Sequence, residues 1–109
     1  MTPTKTALAL MKERNLSTCQ VEGCGNPAQE AHHCLYGNRK KAPKQLRDQL
    51  NDPRNLQLVC RECHKFTGKA KTYENKLKFW EWGCRFYGHD KMVRWHEELL
   101  LKVKEKGYK

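Results

Sequence analysis

The chain has 109 residues, a formal net charge of +10 with histidine neutral, only 38% hydrophobic residues and a mean hydropathy of −0.98, which fits one domain with a small core. No apolar window is long enough for a membrane helix, and the longest apolar run near the start, residues 7–11, is too short for the apolar region of a secretory signal. Six cysteines without such a signal fit metal ligation in the cytoplasm rather than a disulfide framework.

Thr2-Pro3 fits an N-cap followed by proline at the first helical position, and Leu8 and Met11 recur at helical spacing, which predicts a helix over 3–15. Gly23, Gly25, Asn26 and Pro27 make a turn around Cys24. Residues 29–34 read as a short extended segment. Tyr36-Gly37-Asn38 opens a long basic connection that holds a short helix over 43–50, closed by Asn51-Asp52-Pro53. Leu56, Leu58 and Val59 lean towards a strand, and the chain turns helical from Arg61.

The C-terminal third reads as a helical hairpin. Tyr73, Leu77, Trp80, Cys84 and Tyr87 recur at steps of three or four, with Thr72 as N-cap and Gly88 as stop. Asp90 is then expected to cap a second helix in which Met92, His96, Leu99 and Val103 share a face. Trp80, Trp82 and Trp95 are expected to anchor the hairpin rather than stack on bases. His89 and His96 have no partners at informative spacing and read as structural. Residues 105–109 are expected to fray. There is no internal repeat, so a core over about 17–70 and a helical extension over about 72–105 make one domain.

The charge is concentrated. Between Arg39 and Lys78 lie twelve basic residues against four acidic ones. That density suits a polyanion, because each neutralised phosphate releases condensed counterions; it also suits a merely solvated face.

Two cysteine pairs carry a stronger signal. Cys19 and Cys24 have four residues between them, and Cys60 and Cys63 have two. Such turns present paired thiolates to one tetrahedral ion, and two pairs complete a structural zinc site. Metal binding of this kind contributes on the order of 10 kcal/mol to folding. Cys60-Arg61-Glu62-Cys63-His64 also matches a covalent haem signature, but the second cysteine pair argues against it. Cys84, on the apolar stripe, reads as a small buried residue, and Cys34 stays ambiguous.

His32-His33, Asn55 and His64 gather around this framework. If the extended segment at 29–34 pairs with the Leu56 strand, one of the paired imidazoles approaches His64. Imidazoles from the two elements can then hold a divalent ion while another activates water. Strict alternation sends His32 and His33 to opposite faces, and spacing alone does not say which is ligand and which is base.

The pair Cys19 and Cys24, the run Ala31-His32-His33 and the run Asn55-Leu56-Gln57-Leu58-Val59-Cys60-Arg61-Glu62-Cys63-His64 resemble the HNH endonuclease family over residues 19–67. The resemblance implies an α+β chain: a small zinc-stabilised ββα-metal core, here with an N-terminal helix and a C-terminal helical hairpin. It implies that His33 is the general base, that His32 and His64 ligate the catalytic metal, and that Asn55 fixes the loop and orients His33. It also implies that the four cysteines hold structural zinc. Many members carry a further histidine where this chain has Gly68. Two protein ligands favour weakly held Mg2+ or Mn2+ over tightly bound zinc. The implied partner is double-stranded DNA, nicked or cut to leave 3′-OH and 5′-phosphate ends; small nucleases of this kind are often phage-encoded.

An imidazole with an ordinary pKa of roughly 6.5 can take a proton from water at neutral pH, and a metal ion stabilises charge on the phosphate and the departing oxygen. Arg39, Lys40, Lys41 and Lys44, extended by Lys65 and Lys69, are the candidates for phosphate contacts. Two rivals keep the zinc site without the chemistry: a non-catalytic module that binds nucleic acid through the basic stretch, and a protein adaptor that works through the helical hairpin.

Overall fold

The computed structural model describes residues 3–37 and 43–105 as helix α1 (Lys5–Arg14), strand β1 (Glu30–His33), helix α2 (Lys44–Leu50), strand β2 (Leu56–Val59) and helices α3 (Tyr73–Phe86) and α4 (His89–Glu105). A wide helical turn, Glu62–Phe66, and a 3-10 turn, Lys69–Lys71, link β2 to α3. The architecture is α+β. Among the described residues no helix is long and apolar enough to cross a membrane.

The two strands pair antiparallel, with Glu30 opposite Val59, Ala31 opposite Leu58, His32 opposite Gln57 and His33 opposite Leu56. Every residue of β2 is buried, because the short sheet is covered on both sides. Leu56 and Leu58 pack with Ala7, Leu10 and Ala28; Val59 packs with the cysteine turns and Ala70. Gln57 survives in this interior because its side-chain amide exchanges two hydrogen bonds with that of Asn75, at 3.0 and 2.8 Å.

The cap of α1 is Thr4, whose Oγ1 accepts the Ala7 N–H at 3.1 Å; Thr2 lies outside the described residues. Asn15 ends the helix in the left-handed region (φ 53°), a role asparagine fills well. The buried face is Ala7, Leu10 and Arg14, with Met11 packed at its edge and Leu8 49% exposed. The expected Leu8 face is therefore turned outward: Ala7 is small enough for the helix to lie close on the sheet. Arg14 is buried through partners distant in sequence. Its guanidinium donates to the Gln20 side chain, the Pro53 carbonyl and the Tyr87 hydroxyl and lies 4.8 Å from the Trp82 ring centroid.

The C-terminal hairpin forms, with corrections to its register. Thr72 caps α3 through the Asn75 N–H, at 3.1 Å. The buried face of α3 is Asn75, Phe79 and Gly83, whereas Tyr73 is 74% and Leu77 46% exposed. Gly83 faces inward because a Cβ there would stand 2.6 Å from Met92 Cε. Gly88, at φ 103°, makes the turn, and α4 begins at His89, so Asp90 lies in its first turn rather than capping it. Met92, Trp95 and Leu99 are buried. Trp95 packs with Leu46 and Leu50 of α2 and donates its indole N–H to the Gln49 carbonyl. Trp80 and Trp82 are half-buried anchors. His96 is not isolated: its Nε2 pairs with the Tyr36 hydroxyl. Helix α4 runs on through Glu105, and residues 106–109 lie outside the described residues.

Candidate functional site

The residues 19–27 fold back on themselves, with the Cys19 N–H bonded to the Asn26 carbonyl and the Cys24 N–H to the Val21 carbonyl. The Gln20 N–H donates to the Leu58 carbonyl, which docks this turn on β2 beside the turn that carries Cys60 and Cys63. The four sulfurs of Cys19, Cys24, Cys60 and Cys63 all lie within 4.8 Å of one another. A tetrahedral ion held at about 2.3 Å from each sulfur separates neighbouring sulfurs by roughly 3.8 Å; Cys24 Sγ and Cys60 Sγ are 3.7 Å apart. The donor set is therefore one that can hold a metal ion such as zinc.

The thiols are unequal. Burial alone would raise Cys60, but the Cys63 backbone N–H at 3.4 Å, the Asn26 amide at 3.7 Å and the neighbouring thiols bring it down to about 7. Burial pushes Cys19 up to about 11 and also raises Cys63. A bound cation reverses that cost by taking the thiolate form. Cys34 and Cys84 stand apart. Cys34 is buried and pushed up to about 12; Cys84 is only half-buried, short of the burial expected for it.

Two of the histidines, His32 and His64, lie side by side, and His33 shares a cleft with His64. His32 and His33 alternate across β1. The His32 Nε2–H donates to the Ala70 carbonyl at 3.1 Å, and its ring centroid is 4.8 Å from that of His64. His64 lies in the wide turn after Cys63, where its Nδ1 stands 2.8 Å from Glu30 Oε1. His33 projects to the opposite side of the strand into an open cleft of about 480 Å³, also lined by Glu30, Asn51, His64 and Lys65. Burial lowers His32 to about 4, with the neighbouring His64 adding to the shift.

No family model, no curated protein and no solved structure matches this chain.

Asn55 is fully buried and makes four side-chain hydrogen bonds. Its Oδ1 accepts the Leu35 and Tyr36 N–H groups, and its Nδ2 donates to the Tyr36 and Leu50 carbonyls. It thus fixes the loop that leaves β1. The side chain bonded directly to His33 is instead Asn51, whose Oδ1 lies 2.7 Å from His33 Nε2. Asn51, read from sequence only as part of a helix stop, reaches His33 because α2 delivers it to the mouth of the cleft.

Glu30 was also hidden among the extended residues. It is 8% exposed and gathers His64, Arg61 (3.6 Å) and Lys65 (3.3 Å). Although burial raises its pKa, the bonds from His64 and Lys65 outweigh that and hold it below the usual carboxylate value. Its position two residues before His32, on the same face of a strand, is the signal that would have found it.

Of the expected phosphate contacts, Lys44, Lys65 and Lys69 are exposed, Lys65 while paired with Glu30. Arg39, Lys40 and Lys41 lie outside the described residues.

Proposed function

We propose that this chain is a metal-dependent DNA endonuclease of the HNH type, hydrolysing phosphodiester bonds of double-stranded DNA to leave 3′-OH and 5′-phosphate ends. The observation that carries the reading is the shared cleft: His33 from the end of β1 and His64 from the turn after β2 line one opening, with His32 beside His64.

Two imidazoles bound to one ion at about 2.1 Å hold their ring centroids roughly 4.6–5.3 Å apart, a range that includes the 4.8 Å between His32 and His64. Each donates one ring N–H, His32 to a backbone carbonyl and His64 to a carboxylate. That is the outer support typical of ligating histidines, and among the described residues it leaves His32 Nδ1 and His64 Nε2 without a hydrogen-bond partner. They are the residues that would hold Mg2+ or Mn2+, which supplies Lewis-acid stabilisation of the phosphate and of the departing oxygen.

His33 donates its Nε2–H to Asn51, so its Nδ1 keeps the lone pair that takes a proton from the attacking water. Asn51 orients this ring, while Asn55 fixes the backbone just beyond it. The exposed Lys44, Lys65 and Lys69 supply positive charge for the phosphate backbone. Structural zinc at the four cysteines holds the two turns together.

A non-catalytic zinc-containing nucleic-acid-binding module is the second reading, favoured by the same hydrogen bonds of His32 and His64, which satisfy both rings structurally. Supercoiled plasmid incubated with Mg2+ or Mn2+ separates the two. The nuclease reading expects nicking by wild type and roughly 10²–10⁴-fold less by His33→Ala, with folding and DNA binding retained. Equal behaviour of wild type and His33→Ala, with no nicking in either metal, sinks the nuclease reading.

A further inference from the structure

Two aromatic side chains in the stretch that follows His64 stand in solvent. Phe66 is 77% and Tyr73 74% exposed. A single exposed aromatic needs no explanation, but these two bracket the Lys69–Lys71 turn, and Lys65, Lys69, Lys71 and Lys76 are exposed among them. The one acid in residues 65–76, Glu74, is partnered by Lys78 at 3.7 Å, and of the four lysines Lys65 reaches back to Glu30 at 3.3 Å.

The intervening turn is anchored. Ala70 is fully buried, and its carbonyl accepts from both His32 Nε2 and Asn75 Nδ2. The Thr72 hydroxyl donates to the Lys69 carbonyl, and the Lys71 N–H to the Gly68 carbonyl. The turn between the two rings, which carries Lys69 and Lys71, is therefore tied directly to a candidate metal ligand.

We infer that Phe66 and Tyr73 are a stacking platform for unpaired nucleotides of DNA, with the surrounding lysines holding the adjoining phosphates; that the platform serves cleavage rests on the nuclease reading above. Every base offers a π-face to a flat ring, whatever its sequence. Paired bases in a duplex already stack on each other and leave these rings without a partner. An apolar protein surface would cover the rings only by desolvating the ammonium groups of Lys69, Lys71 and Lys76, which is costly. The substrate class that fits is therefore DNA with a single-stranded or locally opened segment.

Fluorescence anisotropy of the full, zinc-loaded chain tests this in buffer free of Mg2+, Mn2+ and chelator, at fixed salt. The probes are a labelled single strand, an abasic strand of the same length and the matched duplex. Wild type is expected to bind the single strand roughly 5- to 100-fold more tightly than the abasic strand. Phe66→Ala and Tyr73→Ala each remove much of that preference and leave abasic and duplex affinity unchanged, and Phe66→Trp restores it. Lys69→Gln weakens binding to all three probes, as loss of a phosphate contact should. Equal binding of normal and abasic strands by wild type overturns the inference, as do ring substitutions that leave the preference intact. The readout is independent of cleavage: a plasmid nicked without any base preference in binding removes the platform alone, and a base preference without nicking removes the nuclease reading alone.

Discussion

Asn55→Ala puts a number on the loop that follows the paired histidines. The side chain is fully buried and joins Leu35, Tyr36 and Leu50 through four hydrogen bonds of 2.8–3.0 Å. Each bond is worth about 1 kcal/mol net, and a buried partner left unsatisfied costs about 1–3 kcal/mol. With some of the freed groups reaching water, the loss is roughly 3–5 kcal/mol. For a domain of this size that lowers Tm by roughly 15 °C or more. Asn55→Asp keeps an acceptor for the two amides but sets a carboxylate against the Tyr36 and Leu50 carbonyls, so it is expected to fall nearly as far. Urea denaturation of zinc-saturated protein, followed by circular dichroism, reads both. A loss below about 1 kcal/mol for Asn55→Ala refutes the view that this side chain holds the loop.

Stripping zinc with a strong chelator, or substituting Cys63→Ser, removes a contribution on the order of 10 kcal/mol, comparable with the whole stability of a domain; helical circular dichroism is expected to collapse, and an unchanged melting curve rejects a folding role for the metal. Because His32 is held at about 4 by burial, below its ordinary 6.5, the unfolded chain binds more protons between those values, and stability is expected to fall as pH drops through that window. His32→Gln, which keeps an amide donor for the Ala70 carbonyl, flattens this dependence; parallel curves of Tm against pH for wild type and variant, from pH 7 to 4, speak against it. Gly83→Leu forces a side chain into the space held by Met92 and should cost about 1–3 kcal/mol, whereas a neutral result in urea denaturation means the two helices are not in close contact there.

Features written in short stretches of sequence were legible. The cysteine spacings foretold a cluster that the fold assembles, and the extended segment with the Leu56 strand became the observed hairpin. Thr72 and Gly88 marked their helix boundaries because a cap and a positive-φ turn depend on immediate neighbours. Faces governed by distant partners were not legible. Arg14 is inward only because Pro53 and Tyr87 come to it, and Asn75 only because Gln57 and Ala70 do. A periodicity count that places apolar residues inside misses both, and so turns α1 and α3 the wrong way. At the candidate site, Asn51 and Glu30 escaped notice because turn and strand polar residues look alike until the hairpin register sets them beside an imidazole.

The buried guanidinium of Arg14 has a practical consequence for anyone reshaping this protein. Its cage is built from Trp82, Phe79 and Tyr87 near the far end of the chain, so cutting away the C-terminal helices would strip the guanidinium of those rings and of its Tyr87 hydrogen bond and open that face of α1 to water. Moving α1 and the cysteine turns into another scaffold would therefore mean carrying the C-terminal helices along with them.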